Sequence, residues 1–181
     1  MHRRIFLKGA LASLPLGIHR GGDNSVLSSP AQNQESPKIR GFRTLGRTGF
    51  RVSDIGAGQV FVEDIMRAML ERGVNYIDTS EIYEEEMRHE TMIGRVIKDF
   101  DRKSIFITTK LWPEKQDRKE SFLARARQRL ERLKVDTLDC LMLHSPNTST
   151  VVKNEGFHAA VSDLKAEGRL KYLGISCHGS M

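Results

Sequence analysis

Three short apolar runs each end in an ionisable side chain. Val74-Asn75-Tyr76-Ile77 leads into Asp78, Ser104-Ile105-Phe106-Ile107-Thr108-Thr109 into Lys110, and Leu138-Asp139-Cys140-Leu141-Met142-Leu143 into His144. The stretches between them carry apolar residues at helical spacing. Met92, Ile93, Val96, Ile97 and Phe100 share one face of a helix predicted over 87–100. Phe122, Ala126, Leu130 and Leu133 do so over 119–133, and Phe157, Ala160, Val161 and Leu164 over 156–167, with Gly168 as its stop. An earlier helix is predicted around Ile65, Met66, Met69 and Leu70, ended by Gly73. With a first strand at Ile55-Gly56-Ala57-Gly58 and a last at Leu170 to Ile175, five strands alternate with four helices. Near-continuous apolar strands in that alternation predict an α/β protein with a buried parallel sheet. Right-handed crossovers place every loop that follows a strand on one face, where chemistry collects.

Ahead of this alternation, Phe42-Arg43-Thr44-Leu45 and Phe50-Arg51-Val52 flank Gly46-Arg47-Thr48-Gly49, which predicts a β-hairpin. Gly56-x-Gly58 lacks the third glycine of a dinucleotide fingerprint, since Phe61 stands there, so a Rossmann site is not expected.

The 181 residues suit one domain, and the net charge of +6 is unevenly placed. Residues 1–50 hold eight Lys/Arg and two Asp/Glu, leaving 21 of each sign in 51–181. The folded part is therefore neutral, and no nucleic-acid face is expected. The basic excess belongs to Met1-His2-Arg3-Arg4-Ile5-Phe6-Leu7-Lys8-Gly9 and the short, mildly apolar run to Ile18. Paired arginines before Phe-Leu-Lys and an apolar run too short to span a bilayer resemble a twin-arginine signal over 1–20. That implies export through the twin-arginine translocation machinery to a bacterial periplasm. Gly, Ser, Asn, Gln and Pro then dominate a linker assigned to 21–40, with folded sequence from 41 to 181.

The face at the strand ends carries Asp78, Tyr83, Lys110 and His144. A phenol has an unperturbed pKa of about 10, so it is a poor acid or base at neutral pH unless a nearby cation stabilises its phenolate. Lys110 is the candidate cation, with Asp78 keeping it charged and in place. His144 supplies a donor that can orient a carbonyl oxygen or join proton transfer.

These residues and their surroundings resemble the aldo-keto reductase family. F-R-T-L-G-R-T-G-F-R-V-S is similar to its N-terminal hairpin, G-V-N-Y-I-D-T-S-E-I-Y to its Asp-to-Tyr segment, I-T-T-K-L to its Lys strand and V-D-T-L-D-C-L-M-L-H-S-P to its His strand. The resemblance covers residues 42–179 and implies a (β/α)8 barrel, NADPH (or NADH) bound without a Rossmann fold, and reduction of an aldehyde or ketone. In those terms Tyr83 protonates the carbonyl oxygen as hydride arrives, Lys110 and Asp78 tune Tyr83, and His144 positions the substrate. Ser176 and Cys177, in Gly174-Ile175-Ser176-Cys177, fall where the family holds the nicotinamide, although Asn is usual in place of Cys177. Gly58, at the end of the first strand, is a third candidate cofactor position, and Trp112 is a candidate wall of the substrate pocket. Glu84-Glu85-Glu86 replaces the glycine that often follows the Tyr.

Five of eight strands are accounted for by Met181, and the family's late phosphate-clamping Lys and Arg are absent. The resemblance therefore implies the N-terminal part of a longer reductase or a truncated product, which alone would bind cofactor poorly and self-associate through open sheet edges. Two other classes compete. A non-catalytic fragment or interaction module would follow from the missing strands. A metal-dependent hydrolase barrel would use Lys110, His144 and His178, but the first strand has no paired His, so no metal is expected. Cys140 and Cys177 fall at different heights along their strands and are not expected to pair.

Overall fold

The computed structural model describes residues 37–146 and 148–178. The signal-like segment and most of the linker lie outside the described residues. The folded part starts earlier than the apolar pattern suggests. Ile39 is partly buried against the core, and its N–H donates to Arg72 O at 2.7 Å.

The hairpin forms as expected, with β1 (Phe42–Thr44) antiparallel to β2 (Arg51–Ser53) around a short 3-10 turn at Gly46–Thr48. Then follow α1 (Glu63–Glu71), β3 (Tyr76–Asp78), α2 (Glu81–Met87), α3 (His89–Ile97), β4 (Phe106–Leu111) and α4 (Lys119–Leu133). The described chain closes with β5 (Leu138–His144), α5 (Ser149–Val152), α6 (Glu155–Ala166) and β6 (Leu170–Ser176). The sheet is parallel in the order β3-β4-β5-β6, so chain order equals spatial order.

Three sequence expectations need correction. The predicted first strand is reduced to one bridge, Ala57 with Ile77, in which Ala57 N–H donates to Tyr76 O and Asp78 N–H to Ala57 O. Glycines on both sides of Ala57 bring no side chains to pack on a neighbouring strand, so the ladder does not extend. Ile65 is exposed, because the inward face of α1 is centred on Met66 and Leu70. Finally, the helix predicted over 87–100 is α3, shorter at both ends, and an unpredicted helix, α2, precedes it. Arg88, at φ 51°, breaks the chain between α2 and α3, and α2 begins just after Ser80.

The outward sides of the strands meet α3, α4 and α6 through Ile77, Ile107, Leu141, Leu143, Ile93, Val96, Leu133, Phe122 and Leu164, all buried in one cluster. Gly94 shows how tightly α3 meets α4. A Cβ there would lie 2.3 Å from Arg132 O and 2.9 Å from Leu133 C, so only glycine lets the two backbones approach. On the other side of the sheet Tyr76, Phe106 and Tyr172 stack, with centroids 5.9 and 6.1 Å apart. Tyr172 Oη donates to Thr48 O and ties the hairpin beneath them.

Candidate active site

Parallel register sets the height of each polar tip. Asp78 is level with Thr108, Lys110 with Met142, and His144 with Ser176, so each tip stands two residues beyond the one on the preceding strand. Lys110 Nζ donates to Asp78 Oδ2 at 2.5 Å and to Thr79 O at 2.9 Å. The ammonium is almost wholly buried, whereas about a third of the Asp78 side chain (34%) is exposed. An ammonium in so dry a place needs both oxygens to offset its lost hydration.

Tyr83 stands on the first turn of α2. Its ring has Lys110 Nζ 5.4 Å from its centroid, and meets the His144 ring edge-on at 6.0 Å. The expected lowering of the phenol's pKa does not occur in this chain. Burial, and then the charge of Asp78, push it above its ordinary value. Lys110 directs its N–H groups to Asp78 and Thr79 and faces the phenol as a cation over a ring, which leaves Tyr83 a protonated donor.

His144 is buried, and its pKa is lowered by burial first, then by Lys110 and His178 against the opposing pull of Asp78. Its Nδ1 lies 2.9 Å from Ser80 Oγ. Trp112 meets the same imidazole edge-on at 5.3 Å, which sets it beside the strand-end groups while leaving it exposed. Asp78, Tyr83, Lys110, His144 and Trp112 are thus brought together.

The candidate cofactor positions divide. Ser176 is paired with His144 by register, and its carbonyl accepts from Ser145 N at 2.6 Å. Cys177 is exposed, with Sγ 3.6 Å from Pro146 O. Gly58 follows the Ala57 bridge at the β3 edge of the sheet, with β3, β4 and β5 between it and Ser176, and the described residues do not bring it to Ser176 and Cys177. Cys140 is buried, its thiol pushed up to about 11 chiefly by burial. It is level with Tyr172, five residues short of Cys177. Among the described residues no group of three His, Cys, Asp or Glu side chains could hold a metal ion.

Several residues of the site carried no signal that pattern reading used. Thr79 Oγ1 lies 2.9 Å from Nδ1 of His89, which is buried behind Tyr83 and has its pKa lowered by that burial. Glu81 accepts from Trp112 N at 2.5 Å, Arg125 Nη1 at 2.9 Å and Arg129 Nη1 at 3.2 Å. Glu90 accepts from Thr109 Oγ1 at 2.6 Å, and its Oε2 is 2.8 Å from Arg129 Nε, close but poorly aligned for a hydrogen bond. Burial raises the Glu90 carboxyl to about 7 and lowers Arg129, so desolvation outweighs the attraction for both. These ions lock α2, α3 and α4 around the exit of β4. A charge on an otherwise apolar helix face, as at Arg129 between Ala126 and Leu133, was the available clue.

A parallel βα sheet with an ion-paired lysine, a phenol and an imidazole at its strand ends defines a barrel-type α/β protein with its polar groups on the C-terminal side of the strands. Residues 56–180 match the aldo/keto reductase family, and the chain belongs to it. The methylglyoxal reductase DkgB of Escherichia coli O157:H7 is 31% identical over 134 residues, 73% of this chain and 46% of that protein. The glyoxal reductase of Bacillus subtilis is 29% identical over 149 residues, 81% and 51% of the two chains. Among solved structures, the holo form of an aldo-keto reductase from Bacillus halodurans superposes with a TM-score of 0.62 at 28% identity, covering 75% of this chain and 50% of that one. An aldo/keto reductase from Brucella melitensis gives 0.60 at 29%, covering 77% and 54%. The chain spans about half the length of the curated relatives it matches.

Proposed function

We propose that this chain forms the catalytic half of a nicotinamide-dependent reductase acting on small aldehydes or ketones, with NADPH as the reductant. The observation that supports it best is the convergence of Tyr83 with the Asp78–Lys110 pair and His144, side chains of four elements that meet over the strand ends. The names of two relatives, methylglyoxal reductase and glyoxal reductase, favour a 2-oxoaldehyde.

Tyr83 keeps its proton, since its pKa is raised, and donates it to the carbonyl oxygen as negative charge develops there. Lys110, fixed by Asp78 and Thr79, provides the positive field that favours that charge. Neutral His144 and the Trp112 ring bound the space for the carbonyl group. Ser176, at the height of His144, fits a hydrogen bond to a nicotinamide carboxamide, and Cys177 beside it is a poorer partner. Reduced nicotinamide, when bound, supplies the hydride.

The test is NADPH consumption with methylglyoxal and with simple aldehydes. Tyr83→Phe should lower kcat by about 10²–10⁴-fold, the scale of a lost general acid; undiminished turnover would sink the assignment. For residues 1–20 we propose a twin-arginine export signal, tested together with the linker to residue 40. Fused to a folded reporter, residues 1–40 should send it to the periplasm, and replacing Arg3 and Arg4 by Lys should stop it. A reporter retained in the cytoplasm with the native arginines would overturn that reading.

A further inference from the structure

Ser80 occupies the position that caps α2, but its hydroxyl does not cap. A serine there ordinarily accepts from the second or third N–H of its helix, a bond worth about 1 kcal/mol. In this chain Ser80 is extended, at φ −162° and ψ 155°, and makes no side-chain bond to the helix. Tyr83 N–H donates instead to the Ser80 carbonyl at 3.1 Å. The hydroxyl, fully buried, lies 2.9 Å from His144 Nδ1 and 3.4 Å from Lys110 O. A helix cap has been exchanged for a contact with a histidine 64 residues away.

We propose that Ser80 is a positioning residue that sets the tautomer of His144, donating its proton to Nδ1 so that the ring carries its own proton on Nε2. The assignment rests on the reductase reading only for its use, not for its geometry. A hydroxyl has one proton to give, and the 2.9 Å contact takes it in preference to the 3.4 Å contact with Lys110 O. With Nδ1 held at the strand end, Nε2 is the ring nitrogen left for the space bounded by Tyr83 and Trp112. A carbonyl oxygen only accepts, so an Nε2–H can orient it, whereas an Nε2 lone pair would repel it. Lys110 on β4 and His178 after β6 disfavour a second proton on the ring, while Asp78 on β3 opposes them more weakly. The imidazole is thus neutral, and which nitrogen holds its one proton matters.

The same strand end does this twice. Thr79 Oγ1 contacts His89 Nδ1 at 2.9 Å, so Asp78, Thr79 and Ser80 in succession hold Lys110, His89 and His144. This tripeptide organises the site.

The decisive measurement is the imidazole 15N spectrum of the 181-residue chain labelled at histidine, with His144 signals assigned by their loss in His144→Gln. The expected wild-type result is a protonated, pyrrole-like Nε2 and a pyridine-like Nδ1. In Ser80→Ala the two forms should mix and the ring should take up a proton at higher pH, because a donor to the neutral form has gone; Ser80→Thr, which keeps the hydroxyl, should restore the wild-type pattern. A wild-type ring protonated on Nδ1 overturns the proposal, and so do His144 signals that are unchanged in Ser80→Ala. The wild-type spectrum decides even if Ser80→Ala does not fold. In a chain with turnover, Ser80→Ala should lower kcat on the order of tenfold, the scale of one hydrogen bond. If the spectra behave as expected but no carbonyl is reduced, the reductase reading fails and the Ser80–His144 pair stands. If reduction occurs but the tautomer is wrong, the reverse holds.

Discussion

Lys110 and Asp78 form one ion pair with two unequal environments, and removing either partner has a different cost. Asp78→Ala strands a buried ammonium with only the Thr79 carbonyl, whereas Lys110→Met leaves a carboxylate that water already reaches. Asp78→Ala should therefore lower stability by about 3 kcal/mol, within the usual cost of breaking a buried pair, and Lys110→Met by clearly less. Urea unfolding midpoints of the two variants would show it; equal losses would contradict the asymmetry. In the proposed reduction both should lower turnover, Lys110→Met by removing the positive charge beside Tyr83 and Asp78→Ala by freeing the ammonium from the oxygen that holds it.

At the scale of elements, α3 carries two adjacent buried groups that titrate in opposite senses. Burial lowers His89, so the folded state refuses a proton that the unfolded chain accepts, and this contribution falls away as pH drops below about 6.5. Burial raises Glu90 from 4.5 to about 7, so the folded state holds a proton the unfolded chain has lost, and this contribution falls away as pH rises across that window. The two slopes oppose each other. Glu90→Gln keeps an acceptor for Thr109 and removes one slope, so between pH 4.5 and 7 its stability should rise more steeply with pH than that of the wild type, as read from midpoints at several pH values. Parallel curves would mean that Glu90 titrates normally. Where α3 meets α4, Gly94→Ala should cost about 1–3 kcal/mol, because its methyl would press on the Arg132 and Leu133 backbone.

At the scale of the molecule, β6 is the last strand of the sheet among the described residues, and its alternating exposure leaves Leu173 and Ile175 in solvent. A parallel sheet normally has both faces and its neighbours covered. The chain by itself should therefore self-associate in sedimentation experiments, and Leu173→Lys with Ile175→Lys should reduce that association. A wild-type monomer at all concentrations would count against it.

Much of this arrangement was legible along the chain, because burial is a local and periodic demand. Phe122, Ala126, Leu130 and Leu133 mark α4 to the residue, and Phe157 to Leu164 mark α6 within one. The polar ends of β3, β4 and β5 stood out because Asp78, Lys110 and His144 interrupt apolar runs. The sequence also carried the family resemblance in the hairpin and in these three strand ends. What it could not carry is the choice of partner among polar groups. Ser80 is a routine helix cap by position, and only the folded sheet, which sets the β3–α2 junction beside the end of β5, brings its hydroxyl to His144. Lys110 looks like a cation for a phenol, yet the sheet register delivers its ammonium to Asp78 and Thr79. Arg129 stands on the apolar face of α4, yet its partners appear only once α4 lies on α2 and α3 and buries it between Glu81 and Glu90. Periodicity specifies which side of an element is dry. Which donor meets which acceptor across 30 to 60 residues depends on distances of a few tenths of an ångström, and those exist only once the elements have packed.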